Sequence, residues 1–459
     1  MAERFEIVEK ALVKMLEDKK YVTLRDILLT MYPSDIAAIF SNLEEKQIPL
    51  MFRLLSKEQA AETFVEMEPD AQELLIKGFS DNELKEVLDE LYVDDAADLV
   101  EEMPANVVKR ILKQADPEMR SAINQILRYD ENSAGSIMTT EYVSLRPAMT
   151  VEEAILRIRR QGVDKETIYT CYVTDQRRNL IGLVTVKDLL LAEDDEIRIE
   201  DIMQTNLIFA NTSTDREEVA QMLSKYNFLA MPVVDTEGRM VGIVTFDDAM
   251  DVMEEAATED MEMMAGMTPS EKPYLKSTVF ELFKHRIPWL LLLMVTSTFT
   301  SMIINSFEGA LAAQVALTAF IPMLMGTGGN CGSQSSVSII RALSLSEVEP
   351  SDVVRVVWME VRTAVLCGLT LSVVCFFKLI YVDGMLLGND GITMLVALVV
   401  CGALAVTVLL AKLVGAILPL AAQAMKLDPA VMASPFITSI VDAVSLLVYF
   451  MFAKMILGI

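Results

Sequence analysis

One carboxylate stands where carboxylates are rare. Asp442 falls within PFITSIVDAVSLLVYF, in the apolar run 431–456. At roughly 1.5 Å of rise per residue, about twelve residues of helix carry it to the middle of a hydrocarbon layer about 30 Å thick. An ionisable group at that depth costs several kcal/mol unless it faces water or a partner. It is either a structural carboxyl bonded to a neighbouring Ser or Thr, or a carboxylate on a transport path. The surrounding backbone favours the second. Asp428-Pro429 and Ser434-Pro435 free carbonyls close by. IPMLMGTGGNCGSQSS holds Gly326, Gly328, Gly329 and Gly332, which make poor helix material. A broken helix end is expected there, offering carbonyls and Asn330 to an ion. Glu360 and Arg362 read as an internal ion pair or as interface contacts, with Lys412 in a similar role.

These side chains need elements to hold them. Five apolar stretches, 287–306, 310–328, 353–381, 392–418 and 431–456, are long enough to cross a bilayer. Lys284, Arg286, Arg341, Arg355 and Lys426 lie in alternate loops and so favour one side of the membrane. That pattern puts the N-terminus in the cytoplasm and the C-terminus outside, against the weak opposition of Lys454. The expected location is the plasma (inner) membrane, crossed several times.

Charge is divided as unevenly as hydropathy. The 459 residues are 53% hydrophobic yet carry a net charge of −27. Of the 66 acids and 39 bases, 57 and 32 precede Ile287, so the first 286 residues hold −25. This excludes nucleic-acid binding through net basic charge and points to cations or basic surfaces as partners. The N-terminal MAERFEIVEK is polar and does not read as a secretory leader. The single histidine, His285, and five cysteines without a CxxC pair argue against His-based catalysis, zinc sites and a disulfide framework. With no nucleophile–base pair or phosphate-binding loop in the pattern, an enzyme is not expected.

Apolar residues recur at three and four spacing through 5–128, as in Leu84, Val87, Leu88 and Leu91. PSDIAAIFSNL (33–43) and VDDAADLVEEM (93–103) match at an offset of 60. An all-α superhelical domain over 1–130 is predicted, with Ser34 and Asp94 as helix caps. From 131 the pattern becomes α/β and repeats. IGLVTVKDLL (181–190) matches VGIVTFDDAM (241–250), again 60 residues on, and the segments 136–155 and 201–220 match at 65. Five extra residues near 161–169 account for the difference. The G-x-[LIV]-V-T-x-x-D pattern resembles the CBS domain, here in tandem over 131–196 and 197–252. The resemblance makes Thr185, Asp188, Thr245 and Asp248 candidates for an adenine nucleotide such as ATP. An acidic connector follows over 253–283, helical to about Met264 and broken by Gly266 and Pro269, before a membrane domain over 284–459.

In this order the chain resembles the MgtE family of magnesium channels. RYDENSAGSIMT (128–139), EEAATEDM (254–261), GTGGNCGSQ (326–334) and SPFITSIVD (434–442) carry the likeness. It implies a multidomain fold: a helical N-domain, a CBS pair, a connecting (plug) helix and five transmembrane helices. It also implies a homodimer in the lipid bilayer, with a pore on the two-fold axis that cytosolic Mg²⁺ closes. Residue by residue, it implies Asp442 and Asn330 for the pore. For the Mg²⁺ sensor it implies Asp94 and Asp98 of the N-domain, and Asp215, Glu217, Asp248, Asp251, Glu259 and Asp260 of the CBS pair and plug helix. Asn227 and Ala256 depart from the family's acids.

Elementary chemistry agrees. Mg²⁺ sheds water reluctantly, so a carboxylate and carbonyls that receive its water hydrogens suit a conducting path better than a deep cage. Crowded carboxylates repel one another until a cation bridges them. The alternatives are a broader carrier of Co²⁺, Ni²⁺ or Mn²⁺, and a nucleotide-sensing membrane protein that transports nothing.

Overall fold

The computed structural model describes residues 2–270, 272, 274–275, 277–389, 391–432 and 434–458. The chain divides into two compact units, Met1–Glu254 and Glu255–Ile459.

The first unit begins with ten helices, α1 (Ala2–Glu17) to α10 (Pro117–Ile126). Each short helix buries one apolar stripe. α7 (Asp81–Leu88) buries Leu84, Val87 and Leu88, and α8 (Val93–Glu102) buries Ala96, Leu99 and Val100. One stripe is too little for an isolated helix, so the helices stack. α3 (Pro33–Phe40) packs on α5 (Lys57–Val65), α5 on α7, α7 on α9 (Ala105–Gln114), and α8 on α10. This next-but-one packing is the superhelical array that the 60-residue repeat predicts. The expected caps are different. Tyr32 and Tyr92 occupy the capping positions without a side-chain bond. Ser34 and Asp94 fall inside their helices, because Pro33 and Val93 already start the turn.

The α/β part holds two three-stranded sheets of the same design. β1 (Tyr142–Leu145) runs parallel to β2 (Thr167–Thr174), which pairs antiparallel with β3 (Leu180–Thr185). β4 (Ala210–Asn211), β5 (Ala230–Val234) and β6 (Met240–Thr245) repeat the order. The registers are themselves copies: Thr170 opposes Thr185, and 60 residues on Ala230 opposes Thr245. Helices α11 (Val151–Gln161), α12 (Val186–Leu190), α13 (Ile199–Ile202) and α14 (Arg216–Tyr226) surround the strands. Asn227 closes α14 at φ 54°, a left-handed position that asparagine tolerates better than an acid with a longer side chain.

α15 (Phe246–Met264) starts directly after β6 and runs 19 residues without a break into the second unit. It stops where the sequence says it should, with Gly266 at φ +71°. A side chain at that glycine would strike Pro435, and Ser344 Oγ donates to Asp260 at 2.9 Å.

Five long helices follow: α16 (Val279–Ser306), α18 (Ile321–Ser344), α19 (Val353–Phe377), α20 (Met394–Ala424) and α21 (Ser434–Leu457), with the short α17 (Glu308–Ala313) after α16. α20 is the hub and packs against α18, α19 and α21, while α16 lies on α21 with no residue of its own buried. Two expectations need correction. The second apolar run, 310–328, is not one element. It divides into α17, a 3₁₀ turn at Val315–Phe320 and the first part of α18. The GTGGN segment is not a broken helix end either, since α18 passes through it intact. Glycine's low propensity loses here to packing. A Cβ on Gly328 would meet Ser445, Thr407 and Val441, one on Gly332 would meet Ile437, and one on Gly415 would overlap the Gly332 carbonyl. Small residues let α18 approach α20 and α21 closely, as membrane helices require when lipid provides no hydrophobic drive. Among the described residues four helical stretches, Val279–Ser306, Pro350–Leu386, Met394–Ala424 and Pro429–Leu457, are long and apolar enough to cross a membrane by composition. α18 has the length but exchanges apolar bulk for glycine and serine.

Candidate functional site: a carboxylate on the last helix and an acid cluster in the first unit

α21 presents Ile437, Thr438, Val441 and Ser445 to the glycines of α18. Its Ser439 accepts from Thr296 Oγ1 of α16 at 3.2 Å. Asp442 stands between these two faces, because it is three or four residues from Ser439, Thr438 and Ser445. It is half-buried and makes no hydrogen bond or ion pair among the described residues. Among the described residues no Ser or Thr hydroxyl bonds this carboxyl. Asn330 follows Gly329, which abuts Thr438 one turn before Asp442, and its side chain is exposed.

The ion pair expected within α19 is different. Glu360 turns inward to Lys412 of α20 at 3.7 Å, and Ser335 of α18 bridges them, donating to Glu360 at 2.7 Å and receiving from Lys412 at 3.1 Å. Arg362 points elsewhere, bonded to its own helix at the Trp358 carbonyl and lying 5.9 Å from the Trp358 ring. The charges of Glu360 and Lys412 are thus satisfied by each other across three helices. Lys412→Met should lower stability by about 3–5 kcal/mol, since Glu360 is left buried without a counter-charge. Adding Glu360→Leu should recover most of the loss. Unfolding midpoints in detergent check this, and a single variant as stable as the parent would mean that Glu360 is already hydrated.

In the first unit, acids at the start of α8 and at the start of α15 come within electrostatic range of one another. Asp94 is 8% exposed, and its Oδ1 has no hydrogen-bond partner. Burial, then Asp248, Asp95 and Glu166, hold its carboxyl well above the usual carboxylate range. The same crowding lifts its neighbours. Asp95 is pushed up to about 7, first by burial and then by Asp248. Glu166 is raised to about 8 by burial, Asp248 and Asp95. Asp248 is raised to about 6 by burial against the opposing bond from Thr245. Asp98 is raised by desolvation, Asp95 and Glu101, although its side chain stays partly open to water. Asp251 is raised by desolvation, Asp247 and Glu66. Among the described residues none of these carboxylates pairs with Lys or Arg. Of this acid cluster, the sequence alone singles out Asp94, Asp98, Asp248 and Asp251 and does not single out Asp95, Glu166 and Asp247. The Asp94-Asp95 and Asp247-Asp248 doublets were the available signal.

The other expected sensor residues have settings of their own. Asp215 caps α14, accepting from the Glu217 and Glu218 amides at 2.9 and 3.4 Å, with Glu217 exposed on that turn. Glu259 and Asp260 belong to the second unit, where burial and Asp428 raise Asp260. The donors are all hard oxygens, which suit Mg²⁺, and Asp94 Oδ1 lacks any protein partner. Among the described residues no three His, Cys, Asp or Glu side chains converge closely enough to ligate one ion. The set thus fits cations held partly through their water.

The candidate nucleotide residues bond to one another. Thr185 and Asp188 form a reciprocal cap on α12, with Oγ1 donating to Oδ2 at 2.6 Å. Thr245 donates likewise to Asp248. An anion beside Asp248 would meet Asp94, Asp95 and Glu166, so the Thr185–Asp188 side is the more favourable of the two.

Comparison with known proteins adds independent findings. Residues 321–452 match a family described as "Divalent cation transporter" (MgtE), 31–132 match "MgtE intracellular N domain", and 134–195 and 199–255 match "CBS domain". The chain is 37% identical to "Magnesium transporter MgtE" of Thermus thermophilus, covering 97% of this chain and 98% of that one. It is 32% identical to the protein of the same description from Bacillus subtilis, over 96% and 95%. The crystal structure of the cytosolic domain of the Mg²⁺ channel MgtE in complex with ATP is 38% identical, with a TM-score of 0.51, covering 53% of this chain and 99% of that one.

Proposed function

Because the chain belongs to the MgtE family of divalent-cation transporters, we propose that it is a Mg²⁺-selective channel or transporter for uptake across the plasma membrane, closed by Mg²⁺ on its cytosolic side. The observation that carries this reading is the cluster around Asp94 and Asp248. Several carboxylates are packed against their electrostatic preference, and among the described residues none is paired with Lys or Arg. Their packed arrangement is favoured whenever protons or divalent ions neutralise them. Asp94, Asp98, Asp248 and Asp251 would then hold cations between the helical array and the second CBS domain, with Asp215, Glu217, Glu259 and Asp260 as further acids. A ligand shifts such an equilibrium only through its preference for one state, and here that preference is for packed carboxylates.

In the membrane, Asp442 would attract the ion and Asn330 would receive its water hydrogens. A homodimer would bring two Asp442 side chains to one axis, two negative charges for one divalent cation. The N-terminus would be cytoplasmic and the C-terminus extracytoplasmic. Thr185 and Asp188 would take the adenine nucleotide, in keeping with the ATP held by the related cytosolic domain. A broader divalent range remains the second reading, since carboxylates acting through water read charge before identity.

Electrical recording of the purified protein in a bilayer tests both halves of the proposal. Current carried by Mg²⁺ should fall as Mg²⁺ is raised on the N-terminal side alone. Current indifferent to that side would remove the gate, and its absence would remove the channel.

A further inference from the structure

The acidic half of the chain contains a strongly basic cleft. It lies beside edge strand β1 of the first CBS domain and encloses about 470 Å³. Arg146, Arg157, Arg160, Lys165 and Arg178 line it, and Asp164 is the one acid among the lining residues. In a segment holding 57 acids and 32 bases, this local inversion of sign needs a cause.

The cations are neither spent nor idle. Among the described residues none of the five forms an ion pair. Arg146 is fixed from behind, its Nη1 donating to the Thr174 carbonyl at 3.1 Å, to Thr174 Oγ1 at 3.2 Å and to the Asp175 carbonyl. Thr174 itself is buried. Arg157 uses only Nε, bonded to Gln161 at 3.2 Å. Arg160 and Lys165 bond nothing among the described residues. Arg146, Arg157 and Lys165 are nonetheless half-buried. Partly desolvated like charges facing one cavity repel and are unfavourable unless an anion joins them. Guanidinium groups present paired N–H donors that match phosphate oxygens. The hydroxyls of Tyr142, Ser144 and Thr174 add neutral bonding groups to the wall. The volume exceeds what one phosphate needs and falls within the range of small-molecule sites, roughly 300–1,000 Å³.

We propose that this cleft binds the phosphate chain of a polyphosphate compound, either a nucleoside di- or triphosphate or inorganic polyphosphate. It is a separate site from Thr185–Asp188 and Thr245–Asp248, none of which lines it. The proposal does not depend on the transport reading.

The test titrates the full-length protein in detergent with inorganic tripolyphosphate in Mg²⁺-free buffer, following heat. One saturable event per chain is expected, weakening with added salt. Arg160→Glu, at an exposed side chain that supports nothing in the fold, should weaken it at least tenfold, as should Arg157→Ala combined with Arg160→Ala. Competing ADP and ATP then identify the source. Equal competition assigns recognition to the phosphates alone, and tighter nucleotide binding that Arg160→Glu also weakens adds recognition of the nucleoside. The proposal is overturned if tripolyphosphate does not saturate. It is equally overturned if Arg160→Glu binds as the parent does while Asp188→Ala abolishes binding, because the ligand would then sit in the other site.

Discussion

Replacing Asp442 with Ala is expected to stop Mg²⁺ flux through the reconstituted protein while leaving the fold and the cytosolic response intact. The carboxyl group is half-buried in α21, and among the described residues its removal breaks no hydrogen bond or ion pair. Its worth lies in its charge. At an effective dielectric near 20, a carboxylate about 4 Å from a unit charge contributes about 4 kcal/mol. Two such groups facing a divalent ion do more, and about 3 kcal/mol already corresponds to more than a hundredfold in occupancy. Asp442→Asn should be nearly as severe, because it keeps the shape and loses the charge. Radiotracer or dye-reported uptake into liposomes measures the effect, with unfolding midpoints as the control. Parent-like flux in the Asn variant would mean that the ion does not pass this residue.

How Asp442 could be recognised, and why its surroundings could not, is a matter of range. A charge within twenty apolar residues is a local anomaly, visible without a fold. The glycines of GTGGN are also local, but their effect depends on what lies opposite. Propensity alone predicts a break. Contact of Gly328 with Ser445 and of Gly332 with Ile437 requires a continuous helix instead, and that contact is tertiary. The same distinction separates Glu360–Lys412 from the expected Glu360–Arg362. Neighbours two residues apart on a helix do not face each other, whereas Lys412 arrives from another helix. In the first unit the internal repeat reaches as far as strand register, since Thr170–Thr185 and Ala230–Thr245 are copies. The acid cluster was legible only in part. Glu166 comes from the five-residue insertion of the first CBS copy, and nothing near it in sequence indicates that it closes on Asp248.

That cluster makes the packing of α8 depend on pH, with a definite sign. Asp94, Asp95, Glu166 and Asp248 have carboxyls raised by burial and by one another, to about 7, 8 and 6 for the last three. In an opened state, hydrated and apart, they return toward about 4. The packed state therefore binds more protons between about pH 4 and pH 8, and its stability falls as pH rises through that interval. For Asp95, Glu166 and Asp248 the protonation contribution is complete below about pH 4 and gone above about pH 8. A distance probe placed between α8 and α14, without divalent ions, should report a broad, open distribution at pH 8 and a narrow one at pH 5.5. Mg²⁺ added at pH 8 should reproduce the narrow distribution, since it relieves the same repulsion by other means. Asp94→Asn with Asp248→Asn should be narrow at pH 8 without Mg²⁺, and should respond little to either variable. In the bilayer, the same double variant should conduct poorly at low internal Mg²⁺, because its repulsion no longer holds the gate open. A distribution unmoved by both pH and Mg²⁺ would show that the carboxylates are hydrated in place, and the link from charge to closure would then be lost.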